Sequence, residues 1–143
     1  MKKILVLLLV IVLLLAGCSG GGDDDGILEI GERFFVEQMT DINMNADDHI
    51  GRVIRYEGMF RTIHWPATGE DYHMVLRRTL GCCGDDGVIG YEVYLGGIAP
   101  FEEDAWVEVT GMLEWYEVGG LRFLRVVASS VIELDERGEE FVT

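Results

Sequence analysis

Apolar and polar residues alternate from Arg52 to Ile63, and this alternation constrains the fold of the chain more than any other feature. In an extended chain, Ile54, Tyr56 and Phe60 fall on one side, and charged residues such as Arg55 fall on the other. A period of two predicts a β-strand with one buried face. No stretch has the period of a long amphipathic helix and no internal repeat occurs, so the sequence predicts an all-β fold.

Glycines and turn residues divide the rest of the folded region into four further strands. Gly111 predicts a bulge in one of them, and Gly119–Gly120 predicts a hairpin turn. The phrases Gly51–Gly58 and Ala105–Gly111 are similar to the first and fourth strands of OB-fold barrels. Because closure removes exposed edges, the sequence predicts a small OB-fold-like five-stranded barrel with short helical turns, with a β-sandwich as the alternative. The four further strands are predicted over residues 72–80, 88–95, 106–117 and 121–134.

The segments outside these strands are shorter and less regular. Residues 27–44 are predicted to form one or two short strands, with a helix over 32–38 as the alternative. Residues 45–51 begin with a capping asparagine and end with glycine, which indicates a single helical turn. The glycine-rich stretch 81–87 is predicted to be a loop.

The first residues are excluded from the fold. A run of 13 apolar residues, Ile4–Ala16, follows Lys2 and Lys3. It is shorter than the roughly 20 residues that span a bilayer, so residues 1–17 are predicted to be a secretory signal peptide.

The end of that run resembles the lipobox of bacterial lipoproteins. It reads Leu15-Ala16-Gly17-Cys18, and the resemblance implies that Cys18 carries lipid and becomes the mature N-terminus. We therefore expect a membrane anchor at Cys18, a flexible Gly/Asp tether over 18–26, a single OB-like β domain over 27–143, and a location on the extracytoplasmic face of the bacterial cell membrane.

The mature chain is strongly acidic. Without residues 1–17 it has no lysine and nine arginines against 26 acidic residues, a net charge of −17. Such a surface repels phosphate backbones and anionic lipid, so the sequence predicts no nucleic-acid partner and no electrostatic adhesion to a membrane. Cations and basic protein surfaces remain as partners.

With Cys18 committed to lipid, the adjacent residues Cys82 and Cys83 are the other two cysteines. A disulfide staple between distant strands is then unavailable, which leaves a strained vicinal disulfide, two free thiols, or two thiolates on a metal. The alternative without chemistry is a tight loop with one cysteine buried as a small hydrophobe.

Thiolates favour zinc or monovalent copper, and either ion requires further donors. Asp86 is the best placed third donor and Asp85 adjoins it, whereas His64 and His73 are candidates only if the fold brings them back to the cysteines. Zinc or another soft metal such as monovalent copper is therefore the candidate cofactor. The motifs of a nucleophile elbow, a phosphate loop and HExxH do not occur, so we expect a protein that is not an enzyme.

Five motifs between residues 30 and 142 resemble the uncharacterised C-terminal domain of YcgQ-type proteins, a domain of unknown function described in subunits of a two-component membrane permease. The cysteine motif is the most specific, because the family typically has two cysteines, two small residues and an aspartate there. The motifs are Tyr56–Phe60, Leu76–Arg78, Cys82–Asp86, Trp106–Gly111 and Ile132–Phe141.

The resemblance implies an extracytoplasmic β domain that works beside a polytopic permease-like partner, in systems associated with zinc supply. Cys82, Cys83 and Asp86 match the motif, whereas Asp85 stands where a small residue is common. The chain also has a lipid anchor where the family has transmembrane helices.

Three functions follow from these expectations. The first is a membrane-anchored, non-enzymatic accessory subunit that binds zinc through Cys82, Cys83 and Asp86, with Asp85 beside them. The second is a metal-independent protein–protein interaction module of an envelope complex. The third is a thiol redox protein whose cysteine pair cycles as a disulfide.

Overall fold

The computed structural model describes residues 26–81 and 84–143. Within these residues the chain forms seven strands, two short helices and one turn of 3₁₀ helix, and most of the length is strand. In chain order they are β1 (Ile27–Glu29), the 3₁₀ turn (Glu32–Phe34), α1 (Phe35–Met44), α2 (Ala46–His49), β2 (Val53–Trp65), β3 (Glu70–Gly81), β4 (Gly84–Tyr94), β5 (Trp106–Val118), β6 (Leu121–Glu133) and β7 (Phe141–Val142).

Five of these strands close into a barrel. Neighbouring strands follow the order β2, β5, β6, β4, β3, and β3 pairs again with β2 to complete the ring. The β4–β6 pair is parallel and the other pairs of the ring are antiparallel. This is the strand order of an OB-fold barrel, so the predicted all-β, OB-like five-stranded barrel is confirmed, and its first and fourth strands are β2 and β5.

Details of the predicted strands are also confirmed. In β2, Ile54, Tyr56 and Phe60 are all buried. The ladder between β5 and β6 shifts register at Thr110/Gly111, and a side-chain Cβ on Gly111 would collide with the carbonyl oxygen of Val127. Glycine at this position therefore allows the two strands to approach closely at the bulge.

The prediction of one or two strands over residues 27–44 is wrong beyond Glu29. The helix alternative is closer, although α1 extends six residues past the predicted end at residue 38. Phe35, Met39 and Ile42 are buried at spacings of four and three residues, which is the period of a helix face. That face packs into the barrel core, so tertiary contacts decide the conformation of this segment.

The prediction that residues 81–87 form a loop is wrong for Gly81, which ends β3, and for residues 84–87, whereas residues 82 and 83 lie outside the described residues. β4 begins at Gly84, which is the ladder partner of Gly81, and Gly87 is the partner of Thr79. A Cβ on Gly87 would lie 2.9 Å from the Thr79 carbonyl oxygen. The glycines therefore permit close strand pairing here, although their composition is typical of a loop.

Aromatic residues fill the core between α1 and the barrel. The Tyr56 ring packs edge-on against Phe35 and Tyr91, with centroid distances of 6.1 and 6.3 Å. The Tyr56 hydroxyl donates to the Val75 carbonyl oxygen at 3.0 Å, and the Tyr91 hydroxyl donates to that of Met39. Burial raises the pKa of both phenols, so both remain neutral donors.

The barrel has a seam where β2 and β3 separate beyond the pair Met59 and Leu76. β1 pairs with the beginning of β2 and β7 pairs with the end of β3, both in parallel. The buried side chain of Arg77 lies in this seam, and its Nε donates to the Glu57 carbonyl oxygen at 2.8 Å. An arginine thus satisfies a β2 carbonyl next to the point where the ladder ends.

The Arg77 guanidinium also joins both chain ends. Its Nη1 donates to Glu32 Oε1 at 3.2 Å and to the Glu139 carbonyl oxygen at 3.0 Å. The group stacks between the rings of Phe35 and Trp106, with its carbon 4.7 and 4.9 Å from the centroids. The N-terminal 3₁₀ turn, the C-terminal tail and the barrel therefore meet at one side chain.

Candidate functional site

The sequence-predicted site lies at one end of the β3–β4 hairpin. Gly81 and Gly84 are ladder partners, and Cys82 and Cys83 are the two residues between them in the sequence. Both cysteines lie outside the described residues, as does Cys18. Of the predicted acidic donors, Asp85 and Asp86 are part of β4, so the ladder holds their backbone next to the end of β3.

The two candidate histidine donors are not near this end. His64 Nδ1 lies 2.8 Å from Asp71 Oδ1 in an exposed pair. His73 stacks on Phe60 with a centroid distance of 5.3 Å, and it precedes Gly81 by eight residues, or about 25 Å along a strand. Among the described side chains, which are those of residues 26–81 and 87–143, no group of three or more His, Cys, Asp and Glu could hold a metal ion.

Apolar side chains are exposed beside the glycine pair. Val88 and Phe141 are the ladder partners of Arg78 on its two sides, and Leu80 follows two residues later. Leu80 is 65% exposed, Val88 62% and Phe141 45%. We call Leu80, Val88 and Phe141 the hairpin patch.

A second candidate site lies toward the other end of the same hairpin. A groove of about 730 Å³ crosses the barrel surface there. The β2–β3 connection lines one part of it, the β5–β6 hairpin lines another, and β4 contributes Gly90–Glu92. Six aromatic side chains line it, and we therefore call it the aromatic groove: Trp65, Tyr72, Tyr91, Trp115, Tyr116 and Phe123.

The aromatic side chains pack in pairs. Trp65 meets Tyr72 edge-on with a centroid distance of 6.4 Å, and Tyr116 lies at 5.9 Å from Phe123 in a tilted arrangement. Trp65 is 52% exposed and Phe123 38% exposed. Each pair therefore holds one partly exposed ring against a neighbour that restrains its orientation.

Glu92 is the acidic group of the groove. The Tyr116 hydroxyl donates a hydrogen bond to Glu92 Oε2. Burial raises the pKa of Glu92, although the bond from Tyr116 and the positive charge of Arg125 oppose the rise. Burial also raises the pKa of Tyr116, and the bond to Glu92 adds to that rise. The pair is therefore a neutral phenol held against a partly desolvated carboxyl group.

Two arginines cover aromatic faces at the groove. The Arg122 guanidinium carbon lies 4.2 Å from the Trp115 centroid, and that of Arg125 lies 4.7 Å from the Tyr116 centroid. Trp115 Nε1 donates to Asp47 of α2 at 3.0 Å, which ties the β5–β6 hairpin to the helices. The groove is thus built from rings and charges that already have partners.

Sequence reasoning did not assign the aromatic groove. Its residues come from five strands, from α1 and from two connections, so no contiguous motif marks it. The available signal was the position of Trp65 beside a predicted loop and of Trp115 and Phe123 on either side of the Gly119–Gly120 turn.

The N-terminal segment and the barrel together define the class of this protein. Residues 1–19 match the profile of a prokaryotic membrane lipoprotein lipid attachment site, so the chain is a membrane-anchored lipoprotein. None of the helices formed by residues 26–81 and 84–143 combines the length and the apolar character needed to cross a bilayer.

The profile of the DUF1980 C-terminal domain matches residues 20–134, and the chain belongs to this family. The family assignment agrees with the resemblance seen in the sequence. Comparisons with curated proteins and with solved structures find no match.

Proposed function

We propose that this lipoprotein is a non-enzymatic accessory subunit of a permease-like system on the extracytoplasmic face of the membrane. In this proposal Cys82 and Cys83 bind zinc, Asp86 is the third donor and Asp85 stands beside it. The pairing of Gly81 with Gly84 is the observation that carries the proposal. In the sequence only Cys82 and Cys83 stand between these two paired glycines, and Asp85 and Asp86 follow Gly84 directly.

The chemistry of the donors supports a soft cation. Thiolates and carboxylates together suit zinc, and an acidic domain of net charge −17 raises the local concentration of cations. Because both thiols must lose a proton, zinc affinity rises with pH. The proposed role is to hold the ion and present it to a polytopic membrane partner.

Native mass spectrometry of the reduced, full-length lipoprotein in mild detergent tests the metal site. We expect one zinc ion per chain, lost in Cys82→Ser/Cys83→Ser and weakened in Asp86→Asn. Asp71→Asn is the matched control, because Asp71 pairs with His64 and lies near the other end of the hairpin. Equal zinc binding by the wild type and the double serine variant would remove the proposal.

The hairpin patch favours a second candidate function, a metal-independent interaction module of an envelope complex. Three exposed apolar side chains beside one hairpin end are typical of a contact surface. Co-purification of a polytopic protein should then survive Cys82→Ser/Cys83→Ser and be lost in Leu80→Ser/Val88→Ser. Ile132→Ser is the matched control, since Ile132 is 52% exposed in β6.

The thiol redox alternative predicts a different state of the cysteines. Differential alkylation of protein taken from growing cells would then find Cys82 and Cys83 partly disulfide-bonded. Full alkylation before reduction would exclude this alternative and agree with a metal or structural role.

A further inference from the structure

The geometry points to the aromatic groove as a binding site for an uncharged glycan chain. The groove shares no residue with the proposed zinc site, so this inference does not depend on metal binding. Its volume of about 730 Å³ lies within the range typical of small-molecule sites, about 300–1,000 Å³.

The position of the groove is the one where barrels of this topology bind linear oligomers. In OB folds the second and third strands, with the first and fourth connections, bind oligonucleotides and oligosaccharides. Here those elements are β3, β4, the β2–β3 connection and the β5–β6 hairpin, which contribute much of the lining. Topology indicates the place, and the lining chemistry must select the ligand.

Exposed aromatic rings are the first feature of the lining that favours a particular class of ligand. Trp65 and Phe123 are partly exposed on two different hairpins of the groove. The face of an aromatic ring is negative, so it attracts the weakly positive C–H groups that cover the faces of a pyranose ring. Two such rings on separate hairpins suit a ligand that repeats one flat, C–H-covered unit.

The charged side chains at the groove are the second feature that favours a particular class of ligand. Arg122 and Arg125 already cover faces of Trp115 and Tyr116, so on the covered sides these two rings are not free for a cationic ligand. The Glu92 carboxyl group opposes an anionic ligand. An uncharged ligand meets neither obstacle.

Polar groups provide hydrogen bonds for hydroxyl groups. The Glu92 carboxylate has two oxygens that accept hydrogen bonds, and Tyr116 donates to one of them. Asn43 and Thr68 add an amide and a hydroxyl group to the same lining. Each of these groups already has one partner within the chain, but a purely apolar ligand would displace water from their remaining hydrogen-bonding positions, at a cost in free energy.

Single-stranded nucleic acid also stacks on aromatic rings in OB folds, but it requires a positive groove. The mature chain has nine arginines against 26 acidic residues and no lysine. Repulsion of the phosphates therefore disfavours nucleic acid and leaves the glycan.

The test uses the full-length lipoprotein, purified in a detergent whose headgroup is not a sugar. Co-sedimentation with insoluble polymers of glucose and of N-acetylglucosamine measures binding to long uncharged chains. Isothermal titration with the tetrasaccharide of N-acetylglucosamine measures affinity for a short one. We expect binding to at least one of these probes.

The variants Trp65→Ala and Phe123→Ala should each weaken that binding by about tenfold, because each removes one stacking surface. Both side chains are partly exposed, so their truncation spares the core. Phe34→Ala is the matched control, since Phe34 is 55% exposed and does not line the groove. It should bind as the wild type does.

Absence of binding to all the probes would overturn the glycan proposal, as would unchanged affinity in both groove variants. Preferential binding of an extended peptide to the same groove would also overturn it. Cys82→Ser/Cys83→Ser should bind glycan normally, and Trp65→Ala should bind zinc normally. Failure of either proposal is therefore distinguishable from failure of the other.

Discussion

Replacement of Arg77 by methionine removes the guanidinium from the barrel seam while keeping a side chain of similar length. Arg77 is 1% exposed. It donates to the carbonyl oxygens of Glu57 and Glu139 and pairs with the carboxylates of Glu32 and Glu57. In the variant the two carbonyl oxygens lose the Arg77 donor, the Glu32 and Glu57 carboxylates keep the bonds from Glu139 N–H and Trp106 Nε1, and the methionine still packs against Phe35 and Trp106.

The expected loss of stability follows from these contacts. A hydrogen bond from a charged group contributes about 1.5–3 kcal/mol, and Arg77 makes two such bonds to backbone carbonyls. The side chains of Glu32 and Glu57 are 45% and 36% exposed, so water can solvate their carboxylates and the lower part of the range applies. We expect Arg77→Met to lower the free energy of unfolding by about 3–4 kcal/mol.

Urea unfolding of the full-length lipoprotein, followed by tryptophan fluorescence and far-ultraviolet circular dichroism, measures this change. Arg78→Met is the matched control, because the Arg78 side chain is 42% exposed and pairs with Glu140 at the surface. It should cost less than about 1 kcal/mol. Trypsin should also cleave after Arg137 faster in Arg77→Met, since the tail loses the bond that Arg77 donates to the Glu139 carbonyl oxygen. A stability within about 1 kcal/mol of the wild type, or above it, would show that packing alone closes the seam.

Three further predictions follow from the fold, the groove and the anchor. Gly111→Ala should destabilise the protein by about 1–3 kcal/mol in urea unfolding, because the new methyl group would strike the Val127 carbonyl oxygen; Gly31→Ala, where a Cβ meets nothing within 4 Å, should be nearly neutral. Burial raises the pKa of Glu92 in the folded protein above its value in the unfolded chain. Protonated Glu92 therefore stabilises the fold fully at pH values below the ordinary glutamate pKa. This stabilisation is lost as the pH rises through the folded-state pKa. Glu92→Gln stays neutral, so its unfolding free energy should fall less than that of the wild type over this rise in pH; parallel pH profiles would contradict the reasoning. Cys18→Ala should move the protein from the detergent phase to the aqueous phase in a phase separation, because the lipid attachment site within residues 1–19 is lost.

Local patterns predicted the strands, because the alternation in β2 and the glycines at the β5 bulge and the β5–β6 turn each specify a local geometry. The barrel itself was predicted from the need to cover strand edges and from the similarity of Gly51–Gly58 and Ala105–Gly111 to OB-fold strands. The same reasoning failed for α1, because the helix is stabilised by packing its apolar face into the barrel core, and the sequence alone does not show that contact. Composition failed for residues 84–87, where glycines serve close strand pairing.

The candidate sites differ in the same way. Cys82, Cys83 and Asp86 form a contiguous motif, so sequence alone was enough to propose them. The aromatic groove depends on Trp65, Tyr72 and Phe123 from three strands, and only the register of the closed ring brings such residues together. The burial of Arg77 could not be predicted from the sequence either, because a charged residue is expected to be exposed. Only the fold shows the two rings and the hydrogen-bond acceptors that surround its guanidinium.

The placement of β1 has a mechanical consequence for a protein held by its N-terminus. In the described sheet β1 lies at the edge and pairs with β2 at three positions, outside the ring of five strands. Tension on the lipid anchor reaches this short ladder, the Arg55–Glu29 ion pair and the bond from Gln38 to the Glu29 carbonyl oxygen before it reaches the ring. β1 is therefore the first described element that tension on the anchor would load, and none of the ladders that close the ring of five strands includes it.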